Sequence, residues 1–460
     1  MKSHLFTASM LILLAALMPI VGCQSATTPA APGIAPARIS DHVVRTRIAG
    51  LDVIICKTGV QDVVTFHGSL PAGDRFAPAD NVAIPTLVGE MLDKGTTRQD
   101  KFAIADQLDG VGASLSFDTG SSTLEFSGKC LKKDVPLVVG LLAEQLRMPA
   151  FSPEELTKLK QQLTGYFQRQ MESTDYRAGL AFSEALYPPG HPNYEPSTEA
   201  MLAGIKAATV DDLKKFHAQY YGPVQCILVA VGDVDGTALQ AEISKTFSGW
   251  NGGVLLKPTA KAPSASNPST LPVFMPEKTS VTVLWGQATG LKYTDPDTLA
   301  LRVGTAILGS GFTGRLMATV RNTEGLTYGI GAGVADDMFS DGDWRISATF
   351  APGLLERGLT STKRELTNWF AQGVTADELT RRKTNLAGSF QVGLATTDGL
   401  ASALLAAVNR GLDVTWLDEY PNRIRALTLE QVNGAIKKYL RPDNFVLVEA
   451  GTLPGVEAKH

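Results

Sequence analysis

The chain is 460 residues long, 44% hydrophobic, 19% charged and 7% aromatic, with a formal net charge of −4. This is ordinary globular composition with room for about two to four domains. With no basic run or Lys/Arg stripe, it argues against nucleic acid as a partner.

Residues 1–22 place Lys2 ahead of an apolar stretch from Leu11 to Leu17, then small residues. That is the form of a secretory signal, too short to persist as a bilayer-spanning helix. It ends in "IVGC", which resembles the lipobox of bacterial lipoproteins and implies a mature chain beginning at a lipidated Cys23. Gln24, rather than Asp, follows it. The implied location is the bacterial cell envelope, lipid-anchored on the periplasmic face of the outer membrane. Residues 23–38 are rich in Ser, Thr, Ala and Pro and suit a flexible tether. Cys56, Cys130 and Cys226 remain, and the apolar, strand-like runs around Cys56 and Cys226 point to buried structural thiols.

Next along the chain, "LDVIICK", "DVVTFHGSL", "SLSFDTG" and "STLEFSGKC" read as strands. "SPEELTKLKQQLTGYFQRQM" reads as a long helix with Ser152 as N-cap and Pro153 in the first turn. That helix recurs. "EELTKLKQQLTGYFQ" from Glu154 is matched by "DELTRRKTNLAGSFQ" from Asp377, and Glu155 returns as Glu378, 223 positions on. "TVDDLKKFHAQYYGPVQCILVAVGD" from Thr209 is matched in the same order by "TLEQVNGAIKKYLRPDNFVLVEAGT" from Thr428. Both read as a helix, a Pro turn and an apolar strand, with Leu213 and Phe216 inward in one copy and Val432 and Ile436 in the other. Two ordered matches at nearly one offset predict duplicated halves, 39–252 and 271–460, joined by a Pro/Ser/Ala-rich linker at 253–270. The fold class expected is α+β, each half a mostly antiparallel sheet packed with helices.

In the second half, "GSGFTGRL" sets Gly309, Gly311 and Gly314 at the spacing of a dinucleotide loop. Such a loop needs a strand in front of it. Here "DPDTLALRVGTAIL" precedes, where Asp295 can cap, Pro296 can open a helix, and Leu299, Val303, Ala306 and Ile307 share a face. A helical approach removes the nucleotide reading.

The longer stretch "GSGFTGRLMATVRNTEGLTYGIGAGV" resembles a signature of the pitrilysin/insulinase-type peptidases, which include the mitochondrial processing peptidase. The match runs through the glycine loop, Arg315-Leu316, Arg321, and Gly325-Leu326-Thr327-Tyr328, with Arg321 and Tyr328 seven apart as in the family. The resemblance covers roughly residues 40 to 455. It implies two α+β halves facing each other across a chamber, and an Arg/Tyr pair that hydrogen-bonds a peptide's carbonyl oxygens. It also implies that Gly309, Ser310, Gly311, Phe312 and Gly314 help to bind peptide.

Active members of that family carry H-x-x-E-H on a helix of the first half: two His hold zinc and the Glu activates water. In the family the motif runs into a segment like "MLDKGT", present here from Met91 to Thr96. Before it stands "TLVGE", with Thr86, Gly89 and Glu90 at the three functional positions. The third ligand aligns near Tyr166. The six histidines, at 4, 42, 67, 191, 217 and 460, offer no pair three or four apart. No metal is therefore expected in this chain, and zinc is expected in a partner subunit.

The resemblance thus implies a non-zinc subunit of a heterodimeric metallopeptidase. A homologous chain would bring zinc and base, while Arg321 and Tyr328 polarise the scissile carbonyl of an unfolded peptide. The other class of function is a non-catalytic scaffold or peptide-binding lipoprotein of the same fold.

Overall fold

The computed structural model describes residues 38–262, 268–453 and 455. The predicted signal segment, the tether up to residue 37 with Cys23, and residues 263–267 of the predicted linker lie outside the described residues. Among the described residues no single helix is long and apolar enough to cross a membrane.

The first half runs β1 (Val43–Ile48), β2 (Leu51–Lys57), β3 (Val63–Leu70), α1 (Ile84–Met91), α2 (Lys101–Gly110), β4 (Ser114–Thr119) and β5 (Leu124–Leu131). Then come α3 (Val135–Arg147), α4 (Pro153–Gln170), α5 (Thr174–Leu186), α6 (Thr198–Ala207), α7 (Val210–Tyr220), β6 (Ile227–Gly232) and α8 (Gly236–Phe247). The second half opens with β7 (Ser269–Phe274), β8 (Val281–Ala288), α9 (Thr298–Gly309), β9 (Thr327–Ala335) and β10 (Asp343–Phe350). It closes with α10 (Leu355–Gln372), α11 (Ala376–Gly393), α12 (Thr397–Asn409), α13 (Trp416–Ala426), α14 (Leu429–Tyr439) and β11 (Val446–Gly451).

The sheets have one topology. The first is ordered β1-β2-β6-β3-β5-β4 and the second β7-β11-β8-β10-β9, so only β1 lacks a counterpart. Each contains one parallel pair, β2 with β6 and β7 with β11, and is otherwise antiparallel. The repeat seen in the sequence fixes the helices as well. Both α4 and α11 have 18 residues, with side-chain caps from Ser152 and Thr375. Both α5 and α12 have 13, capped by Ser173 and Thr396. Helices α7 and α14 both open on a full capping box, Thr209 with Asp212 and Thr428 with Gln431, each worth about 1 kcal/mol.

The halves exchange a helix. Strand β6, "ILVAVG", is buried along its whole length because both faces of its sheet are covered. Successive side chains of a strand alternate faces. Leu228 and Ala230 accordingly join the first half's own core. Ile227, Val229 and Val231 pack instead with Ile54, Cys56 and the α12 residues Leu400, Ala401, Leu404 and Leu405. Reciprocally, α5 lays Ala178, Phe182 and Leu186 on Leu284, Val446, Val448 and Ala450 of the second sheet. At roughly 1.5–3 kcal/mol for each large apolar side chain fully buried, these seams bind the halves strongly.

The predicted thiols sit as expected. Cys56, Cys130 and Cys226 are buried and unpaired with one another. Burial pushes them up to about 11, about 12 and about 12, which leaves them unreactive near neutral pH.

Candidate functional site

The degenerate motif lies on α1, whose buried face carries Ile84, Pro85, Leu87, Val88, Gly89 and Met91. Thr86 donates to Asp74 Oδ1 at 3.1 Å. Burial raises that carboxyl to about 7, with Asp118 and Glu195 adding to the rise and the Thr86 bond opposing it. Glu90 is also raised, chiefly by burial. A Cβ on Gly89 would fall 2.1 Å from Thr119 Oγ1 on β4, so the edge strand occupies the space a side chain would need there. Tyr166 stands partly exposed on α4. One hydroxyl, a glycine, one carboxylate and a phenol do not make a zinc set. Among the described residues no group of three or more His, Cys, Asp or Glu is placed to hold a metal.

The second half is differently furnished. Helix α9 begins at Thr298, later than the sequence suggested, because Asp295 turns back to accept from the Lys292 N–H at 3.0 Å instead of capping. The helix runs directly into the glycine run, as its apolar face predicted. Gly309 closes it against β9, where a Cβ would meet the Ala332 nitrogen at 2.1 Å. Gly311 takes the left-handed conformation with φ 67°, and Gly314 N–H donates to Gly311 O at 3.1 Å. The run is a self-closing turn between a helix and a strand.

This turn is anchored from α11. Arg315 forks onto Glu378 with two bonds of 2.7 Å and holds that carboxyl down at about 2. Arg382 donates to Ser310 O at 2.9 Å and to Thr313 Oγ1 at 3.4 Å.

Beyond the turn, Met317–Thr323 forms a wide π-helical turn, closed by Glu324 N–H donating to Thr319 O at 3.0 Å. Such widened turns recur at functional sites. It carries Arg321, and β9 then brings Tyr328 beneath it. The Arg321 guanidinium carbon lies 4.6 Å from the Tyr328 ring centroid and 5.2 Å from that of Phe312. The cation therefore packs against two aromatic rings. Tyr328 is 85% exposed and Phe312 68%. Among the described residues, neither the Arg321 side chain nor the Tyr328 hydroxyl has a hydrogen-bond partner, and no carboxylate lies within ion-pair distance of Arg321. Arg315, six residues before it, is paired with Glu378. The guanidinium and the exposed phenol thus remain uncommitted donors.

The structure brings together Phe312, Arg321 and Tyr328 of the sequence-predicted residues. Gly309, Gly311 and Gly314 shape the turn, while Ser310 offers its carbonyl inward to Arg382. The sequence reading missed Arg382 and Glu378 as anchors, although both lie in the repeated helix "DELTRRKTNLAGSFQ".

Two duplicated α+β halves, a motif helix with no histidine and an intact Arg/Tyr pair define the scaffold of an inverted-motif metallopeptidase that, among the described residues, has no zinc set of its own. The chain belongs to the insulinase family of peptidases, M16. The insulinase (peptidase family M16) pattern matches residues 53–185, and that of the peptidase M16 inactive domain matches 207–386. A Helicobacter pylori protein described as the non-peptidase homolog YmxG is 23% identical over 81% of this chain and 85% of its own length. A solved peptidase M16 inactive domain from Pseudomonas fluorescens superposes with a TM-score of 0.82 at 25% identity, over 91% of this chain and 100% of that one. The periplasmic protease PqqL of Escherichia coli superposes with a TM-score of 0.75 at 16% identity, over 96% of this chain but 49% of PqqL.

Proposed function

We propose that this chain is the non-zinc subunit of a periplasmic heterodimeric metallopeptidase, lipid-anchored through Cys23, in which Arg321 and Tyr328 bind peptide and polarise its carbonyl. The observation that carries this reading is the half-buried Arg321, packed against two exposed rings and, among the described residues, unpaired. A cation held in place with no internal partner is preorganised for an acceptor that arrives with a ligand. The partner supplies zinc and the water-activating base, since α1 has no histidine and keeps a single carboxylate, Glu90. This chain spans only about half of PqqL, so a chain of that length has room for a second unit of comparable size.

The second reading is a non-catalytic scaffold or peptide-binding lipoprotein. It is favoured by the non-peptidase description of the H. pylori relative and the inactive-domain description of the P. fluorescens structure. Co-purification with a chain bearing H-x-x-E-H, followed by peptide hydrolysis assays of each chain and the mixture, separates the two. The heterodimer reading expects activity only in the mixture. A zinc chain equally active alone would leave the scaffold reading standing.

A further inference from the structure

Behind the glycine turn, between it and α11, lies a cavity of about 470 Å³ lined by Ile307, Thr313, Glu378, Arg381, Arg382 and Asn385. Phe312, which packs against Arg321, and Thr313, on the cavity wall, are adjacent in this one turn. Two guanidiniums, Arg381 and Arg382, line the cavity, and a third, Arg315, reaches the Glu378 of its wall. Arg315 is neutralised by Glu378 and Arg381 by Asp377. Arg382 is not. It is only 8% exposed, yet its partners are neutral oxygens: Ser310 O at 2.9 Å, Asn385 Oδ1 at 3.3 Å and Thr313 Oγ1 at 3.4 Å. Among the described residues no carboxylate pairs with it. Buried charges are almost always paired, and a cation left on neutral dipoles at the wall of an open cavity is set to receive an anion.

We propose that this cavity is a carboxylate subsite, in which Arg382, with the Thr313 hydroxyl and Asn385 amide, binds an acidic group of a peptide lying across the Arg321 stack. The carboxylate comes from an acidic side chain or from the peptide's C-terminus. The Glu378 carboxylate on the same wall does not repel it, being forked by Arg315. This assignment rests on the peptide-binding reading above and gives that site a preference for acidic peptides.

Fluorescein-labelled unfolded peptides, identical but for one Glu or Gln, and each with a free or an amidated C-terminus, are titrated onto the full chain. The expected result is binding of the Glu or free-acid peptide roughly tenfold or more tighter, as for charge-assisted bonds. That preference disappears in Arg382→Gln, returns in part in Arg382→Lys, and weakens in Thr313→Val, which leaves the bond to Ser310 O in place. Neutral-peptide affinity stays near its starting value. The Glu-against-Gln and acid-against-amide pairs tell the two sources apart. Equal binding of all peptides overturns the subsite and leaves the peptide reading standing. If no peptide binds, the Arg382 Nε–H resonance of nitrogen-labelled protein is followed with N-acetylglutamate N-methylamide and its glutamine counterpart. A shift with the acid alone keeps the subsite and removes the peptide reading; no shift with either overturns both.

Discussion

The hydroxyls of Thr65 on β3 and Thr397 at the start of α12 meet at 2.8 Å, buried between the two halves. The duplication repeats this contact in reverse. Thr174, whose counterpart 223 positions on is Thr397, lies 2.9 Å from Thr282 on β8. The next residue of each helix also crosses: Asp175 lies 2.6 Å from Thr282, and Asp398 lies 2.9 Å from His67. Each half therefore lends a helix to the other's sheet and fixes it by hydrogen bonds from the first turn.

Neither sheet has both faces covered without the opposite half. Leu404 of α12 is fully buried against the first sheet. Leu404→Ala is expected to cost about 2–5 kcal/mol. In urea denaturation followed by tryptophan fluorescence and far-UV circular dichroism, both probes should report one shifted transition. Two separated transitions would mean that the halves are independent despite the exchange.

Asp74 makes stability depend on pH. An unfolded aspartate titrates near ~3.9, whereas burial raises the folded group to about 7. Between those values the folded state keeps a proton that the unfolded state has lost, so stability falls as pH rises across the window. Below it both states are protonated and no penalty applies. Asp74→Asn keeps an acceptor for Thr86 but cannot ionise. Its urea midpoint should exceed that of the parent at pH 8 and match it at pH 4. A residual slope should persist in the variant, since burial also raises Glu90, Glu125 and Glu195.

Much of this architecture could be read from the chain. Glu155 returning as Glu378 places α4 and α11, and the helical pattern ahead of Gly309 by itself argues against a nucleotide loop. What stayed hidden was relational. Val229 and Leu404 are both apolar, and nothing in either segment says that they pack across halves. Arg382 looks like one more helix cation until the fold sets Ser310 O above it. Gly89 reads as a lost glutamate, but only β4 reveals Thr119 in the vacated space.

That last contact bears on whether the metal site can be rebuilt. The substitutions Thr86→His, Gly89→Glu and Glu90→His restore the motif letters but drive a Cβ to within 2.1 Å of Thr119 Oγ1. Overpacking of this kind costs about 1–3 kcal/mol, and Tyr166 still supplies no carboxylate. The triple variant should melt earlier and hold less than stoichiometric zinc by elemental analysis. Adding Thr119→Gly and Tyr166→Glu should raise zinc content. Full occupancy in the triple variant alone would refute the packing argument.

Arg321 gives the sharpest division between function and stability. Its guanidinium touches two exposed rings and, among the described residues, no hydrogen-bonding group, so removing it should change stability by no more than ~0.5 kcal/mol. In the mixed complex with a zinc-bearing partner, Arg321→Ala should lower kcat/KM on an unfolded peptide by about a hundredfold, the scale for losing one oxyanion donor. Assembly should be unaffected. Arg321→Lys keeps the charge and loses the planar fork, and should recover only part of that loss. Phe312→Ala removes one layer of the stack and should act mainly on KM. Unchanged turnover in Arg321→Ala would take the pair out of the mechanism and leave this chain as a scaffold.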